Sequence, residues 1–139
     1  MQEVRGSTPL SSTIFCPRPS FMDHKTSVYD LKEKVRRFCD DRGWDRFHNS
    51  KDLAIGVITE ASELLEHFRF KTNFESEELL RNPGTRQPIC EELVDVLHTV
   101  LRFAQKYDID LATELDKKMR KNVKKYPLPK SKRNGAGSR

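Results

Sequence analysis

"SKDLAIGVITEASELLEHF", residues 50–68, decides how the fold is read. Leu53, Val57, Ile58, Ala61, Leu64, Leu65 and Phe68 recur at intervals that fit one helix face, and no strand-type alternation competes with them. Ser50 is placed to cap this helix, and the apolar stripe runs to about Phe70. The same stretch carries Glu60, Glu63 and Glu66. Like charges three apart on a helix repel one another. Two readings are open: a solvated helix face, or acids aimed at something positive.

The flanking segments repeat the helical period. Ser27 with Asp30 resembles a helix start, Leu31, Val35 and Phe38 follow, and Gly43 closes that helix. A third long helix is expected from about Pro88 or Ile89 to Lys106, with Leu93, Val94, Leu97, Val100, Leu101 and Ala104 as its stripe. Asp108 and Asp110 begin a fourth, which places Leu111, Leu115, Met119 and Val123 inside before Pro127 ends it. "NFESEELLRNPGTRQP" reads as a polar connection holding one short helix at 75–81. No hairpin dipeptide lies between apolar runs. The pattern predicts an all-α domain of four main helices, arranged as a bundle.

The ends read differently. Residues 1–25, rich in Ser, Thr and Pro, are expected to form a disordered leader, with "MDHKTSVYDL" from Met22 as a compact beginning. Residues 26–127 make the domain, and residues 128–139 a flexible basic tail.

A chain of 139 residues most simply makes one domain. It has no run of about 18 apolar residues, so no membrane span is expected. Its first residues lack the basic head and apolar core of a secretory signal. Cys16, Cys39 and Cys90 are odd in number and lack paired spacing, which fits a reducing, cytoplasmic setting. The net charge of +5 hides an asymmetry: ten Lys or Arg and no acid follow Asp116, so the preceding residues carry −5. A basic end suits either nucleic acid or the phosphates of a substrate held beside acids.

Two helices carry acid pairs at one spacing, Glu60 with Glu63 and Glu92 with Asp95. Residues three apart on a helix project to one side, and both pairs border an apolar stripe. If the stripes pack together, the four carboxylates converge. Such charges need a cation, and oxygen-only ligands suit magnesium, with manganese as a substitute. The alternative is two ordinary solvated acid pairs. Glu66 and Glu91 are placed on the surface. Asp95 with His98 resembles half of a di-iron bundle, but the helix of Glu60 offers no matching carboxylate-x-x-His element. Just before that helix, Trp44, Phe47 and His48 can wall a pocket for a planar base, or simply cap the core. Phe70 is a further candidate wall. Lys118 and Asn122 share one helix face and suit phosphate, or belong to a solvated basic helix end.

Taken in order, these residues resemble a known family. "EASEL" at 60–64 and "EELVD" at 91–95 are similar to the E-x-x-E … E-x-x-D signature of the MazG-like all-α nucleoside triphosphate pyrophosphohydrolases. The dCTP pyrophosphatase branch adds W-x-x-F-H, here Trp44, Phe47 and His48. It also adds K-M-x-x-N-x-x-x-Y-P, here Lys118, Met119, Asn122, Tyr126 and Pro127. The resemblance covers residues 28–127. It implies an oligomeric four-helix bundle and hydrolysis of a (deoxy)nucleoside triphosphate, dCTP or a related one, to monophosphate and pyrophosphate. Glu60, Glu63, Glu92 and Asp95 become magnesium ligands, with Glu63 also helping to activate water. Trp44, Phe47, His48 and Phe70 surround the base and sugar, and Lys118 and Asn122 approach the phosphates. A homodimer or homotetramer is implied. Two positions depart from the pattern: Phe70 stands where close relatives have Trp, and Thr99, close to the nucleotide, where they often have Tyr. The competing reading is a basic nucleic-acid-binding or regulatory helical module. Against it, the basic run follows the domain and has no interleaved aromatics beyond Tyr126.

Overall fold

The computed structural model describes residues 22–129. Five α-helices, and no strand, occur among these residues: α1 (Val28–Asp40), α2 (Ser50–Glu66), α3 (Asn73–Arg81), α4 (Pro83–Lys106) and α5 (Leu111–Lys125). A 3-10 turn, Trp44–Phe47, joins α1 to α2. The leader and tail expected from sequence lie outside the described residues, apart from 22–25 and 128–129.

The helix starts follow local chemistry. Ser27 and Asp30 form a capping box: the Asp30 N–H donates to Ser27 Oγ at 3.1 Å and the Ser27 N–H to Asp30 Oδ2 at 2.9 Å. Asn49, rather than Ser50, caps α2 by accepting the Asp52 N–H. Asp110 caps α5 by accepting the Thr113 N–H. The α4 terminus turns at Asp108, whose φ of 51° is left-handed, and the Ile109 N–H closes back on the Ala104 carbonyl at 2.8 Å.

The segment between α2 and α4 holds the expected short helix, nine residues long, but α4 starts at Pro83 rather than near Pro88. Thr72 and Glu75 make a second capping box for α3. Asn82 caps α4 through the Gly84 N–H, and Pro83 sits in the first turn, where a missing N–H costs nothing. Thr85 Oγ1 and Arg86 Nη1 donate to the Leu79 and Leu80 carbonyls, which occupies the open end of α3. Pro88 deletes a single bond inside a long helix, next to the buried Ile89, and the helix continues through it.

The packing also departs from a simple four-helix bundle. α4 is the central element: α2 packs along it most extensively, then α1 and α3. The core is thin, comprising Val35, Cys39, Leu53, Ile89, Leu101 and Ala104. α5 buries none of its residues, and Leu115, Met119 and Val123, expected to face inward, are exposed. Ile58, Leu65, Leu93, Val94 and Leu97 are exposed as well, so much of the predicted stripe of α2 and α4 has no cover from the described residues. No helix among the described residues is long and apolar enough to cross a membrane.

Candidate active site

The acid pairs are brought together by a close helix approach. A Cβ at Gly56 on α2 would stand 3.0 Å from Thr99 Cγ2 on α4, so nothing larger than glycine fits without a shift. One turn onward along α2 is Glu60, and one turn back along α4 is Asp95. The two helices run in opposite directions, which sets Glu63 near Glu92. Carboxylate oxygens of Glu60, Glu63 and Glu92 all lie within 4.8 Å of one another. Asp95 joins them through the field it exerts. Burial first, then Glu63, Asp95 and Glu92, push the Glu60 carboxyl above its ordinary pKa.

None of these four carboxylates has an ion-pair partner or a hydrogen-bond donor among the described residues. By contrast, Glu33, Asp45, Glu66, Glu78, Glu114 and Asp116 are each paired with a basic side chain. An acid cluster left without a cation, half-buried at Glu60 and Glu92, is expensive unless a metal completes it. The donor set is all oxygen, which fits a hard divalent ion.

Beside the acids lies an aromatic wall. Phe38 stands edge-to-face with Trp44, their centroids 5.5 Å apart, and with His98 at 5.8 Å. Trp44 is edge-on to His48 at 6.2 Å. Two cavities open here. One, of about 620 Å³, lies among Leu31, Val35, Phe38, Trp44, Leu97 and His98, with Glu60 and Asp95 in its wall. The other, of about 250 Å³, is lined by Trp44, His48, Gly56, Glu60, His98 and Thr99. Trp44, Glu60 and His98 border both. His98 Nε2 is buried and has no hydrogen-bond partner among the described residues. Burial above all lowers the His98 pKa.

A sequence model of the MazG-like family matches residues 55–137. The chain belongs to the MazG-like family. Human dCTP pyrophosphatase 1 is 32% identical over 125 residues, covering 90% of this chain and 73% of the human protein. The mouse protein of the same name is 29% identical over 80% of this chain and 65% of its own length. A pyrophosphatase of known structure from Archaeoglobus fulgidus DSM 4304 superimposes with a TM-score of 0.67 at 34% identity, over 72% of this chain and 92% of that one. These relatives set the chain in the dCTP pyrophosphatase branch, and its enzyme class is nucleoside triphosphate pyrophosphohydrolase.

The MazG-like signature residues do not all meet in one chain. Trp44, His48 and Thr99 line cavities that Glu60 borders, and Glu63, Glu92 and Asp95 adjoin Glu60. Thr99 Oγ1 donates to the Asp95 carbonyl at 3.1 Å, which leaves a short side chain facing the cavity. Phe47 lies outside both cavities, with the Arg46 guanidinium over its ring at 4.5 Å. Phe70 is 91% exposed, in a left-handed conformation with φ of 61°, under the Arg69 guanidinium. A bulky side chain adopts that backbone only at a cost. Lys118 is exposed and Asn122 half-buried on α5, and neither lines these cavities. Sequence reading passed over Arg102, took Phe38 only as part of a helix stripe, and weighed His98 as half of a di-iron element. The signal for Arg102 was present: one arginine interrupts an apolar run between Leu101 and Phe103.

Proposed function

We propose that the protein is a magnesium-dependent pyrophosphohydrolase that cleaves dCTP or a related deoxynucleoside triphosphate to the monophosphate and pyrophosphate. Such an activity clears surplus or unwanted nucleotides. The observation that carries the reading is the set of unpaired carboxylates of Glu60, Glu63 and Glu92, with Asp95 beside them, against a cavity walled by Phe38, Trp44 and His98. The substrate is the one named for the relatives.

Glu60, Glu63, Glu92 and Asp95 would hold the metal, with manganese able to replace magnesium. A bound divalent ion supplies charge neutralisation for the triphosphate and a more acidic water. Glu63, the exposed carboxylate of the close trio, would in addition orient the attacking water toward the α-phosphorus and accept its proton. Trp44 and His48 contact the nucleoside, and Thr99 replaces a larger side chain near the base. Lys118 and Asn122 serve the phosphates, and Phe47 and Phe70 close on the nucleoside.

The last four residues reach the site when a second copy is bound. The uncovered apolar residues of α2, α4 and α5 support a homodimer or homotetramer, because single chains rarely leave so much apolar surface open. Cys39 and Cys90, both free among the described residues, suit a reducing, cytoplasmic location.

Incubation with magnesium and a panel of triphosphates tests the reaction. Pyrophosphate with monophosphate is the expected product pair, and orthophosphate with diphosphate refutes the reading. Light scattering across a dilution series tests assembly; a monomer at every concentration refutes that part.

A further inference from the structure

Arg102 is the sole charged side chain classed as buried among the described residues, at 1% exposure. A guanidinium out of water costs several kcal/mol unless each edge finds an acceptor. Its Nη2 donates to Asp45 Oδ1 at 2.8 Å, its Nη1 to Gln105 Oε1, and its Nε to His48 Nδ1 at 2.9 Å. Lys106 Nζ grips the same Asp45 oxygen at 2.7 Å and the Asp45 carbonyl at 3.2 Å. The end of α4 is thereby fastened to the 3-10 turn that carries Trp44, across 54 residues of sequence at His48 and 57 at Asp45.

The third of these bonds says more than a fastening requires. Arginine has donors only, so His48 Nδ1 must be the acceptor. A neutral ring that accepts at Nδ1 carries its proton on Nε2, and an imidazolium cannot make this contact at all. Burial, then the charges of Arg102 and Lys106, lower the His48 pKa and so favour the neutral ring that the contact requires. With Nδ1 taken, Nε2 is the polar edge His48 has left for the cavity it shares with Trp44, Gly56, Glu60 and Thr99.

We propose that Arg102 is a positioning residue that fixes His48 as its Nε2–H tautomer, so that the cavity beside Glu60 presents a hydrogen-bond donor to an acceptor on the bound nucleoside. The acceptor is either a base carbonyl or ring nitrogen, or a sugar oxygen. The inference rests on the nucleotide reading given above, but the tautomer is measurable without it.

The test uses the full chain labelled with ¹⁵N-histidine, with Arg102→Met as the principal variant. Long-range ¹H–¹⁵N spectra of the wild type should show His48 protonated at Nε2 alone, and Arg102→Met should show both tautomers. With magnesium and dCTP, Arg102→Met should raise KM about tenfold, the worth of one hydrogen bond, and move kcat less than threefold. A glutamine at position 48 keeps an N–H donor that needs no tautomer. In a His48→Gln background, the Arg102→Met effect on KM should therefore shrink to under threefold. An abasic probe, 1′,2′-dideoxyribose 5′-triphosphate, separates the acceptors. If its KM is unmoved by Arg102→Met, the acceptor is on the base; an equal rise puts it on the sugar. A wild-type His48 protonated at Nδ1 overturns the proposal, even if Arg102→Met fails to fold. So does a kcat loss with unchanged KM. Absence of triphosphate hydrolysis by the wild type would instead sink the nucleotide reading, while the spectra still decide the tautomer.

Discussion

The two halves of α4 are built to opposite rules. From Leu101 to Lys106 the helix is finished within its own chain: Leu101 and Ala104 are buried, and each nitrogen of the buried Arg102 has an acceptor. From Glu91 to Thr99 it is unfinished: Leu93, Val94 and Leu97 are exposed, and among the described residues Glu92 and Asp95 have no basic partner and His98 Nε2 no hydrogen-bond partner. The first half spends its residues on stability. The second leaves groups unsatisfied in water and therefore available to a metal, a ligand or another chain. Unpaired charge and bare apolar surface lower stability, and their presence together marks where function displaced packing.

The largest effect should come from the unfinished half. Glu60→Gln is expected to lower kcat/KM with magnesium by about a thousandfold or more, since on the proposed function it removes a metal ligand and a charge together. The same substitution should raise stability without metal. The Glu60 carboxyl titrates above its ordinary value because burial and Glu63, Asp95 and Glu92 oppose its charge. The folded state therefore binds this proton more tightly than the unfolded state. The penalty is present at neutral pH and is relieved as pH falls through the raised pKa. Gln at position 60 should melt higher at pH 7 in chelator, and its advantage over wild type should fade on acidification. A variant that melts lower at pH 7 would mean that the acids do not repel in the free protein.

Truncations should separate the halves in stability. Leu101→Ala removes a side chain of the core cluster with Val35 and Cys39 and is expected to cost about 2–4 kcal/mol in denaturant unfolding. Leu93→Ala, equally a stripe position in the sequence, should cost under about 1 kcal/mol in a dilute monomer. If Leu93→Ala cost as much as Leu101→Ala in dilute monomer, the two halves would not differ as described. A larger loss that appears only at concentrations where copies associate would locate Leu93 in the contact.

That pair shows what the sequence could convey. Period alone made α1, α2, α4 and α5 legible, and the order of motifs made the acid set and Trp44 with His48 legible. Period could not say that Leu101 is covered and Leu93 bare, because both lie on one stripe and differ only in what packs opposite them. It missed α4's true start because Pro88 reads as a helix boundary, while Asn82 and Pro83 form the stronger one upstream. Arg102 stayed hidden because its partners, Asp45 and His48, lie more than fifty residues away in the chain. Phe47, Lys118 and Asn122 belong to the motifs and Phe70 departs from the pattern, and all four stand apart from these cavities.

The join between α2 and α4 gives a smaller effect. Gly56→Ala would force Thr99 Cγ2 away from a 3.0 Å contact, at about 1–3 kcal/mol. The lost stability should come with weaker magnesium binding by calorimetry, because the same displacement parts Glu60 from Glu92. Unchanged metal affinity would mean that the acids adapt independently of the helix spacing.

The smallest effect is the most diagnostic of the unfinished half. His98→Leu removes a buried nitrogen that has no partner and sets an apolar side chain against Phe38. Removing a polar group usually destabilises because a partner is orphaned; here there is none to orphan. The lost edge-to-face contact with Phe38 is worth about 1 kcal/mol, and the relieved desolvation is about as large with the opposite sign. The net change should be within about 1 kcal/mol of zero, or stabilising, in thermal unfolding without nucleotide. A loss of 2 kcal/mol or more would show that His98 Nε2 is satisfied in solution, and that the unfinished half of α4 is more complete than its geometry states.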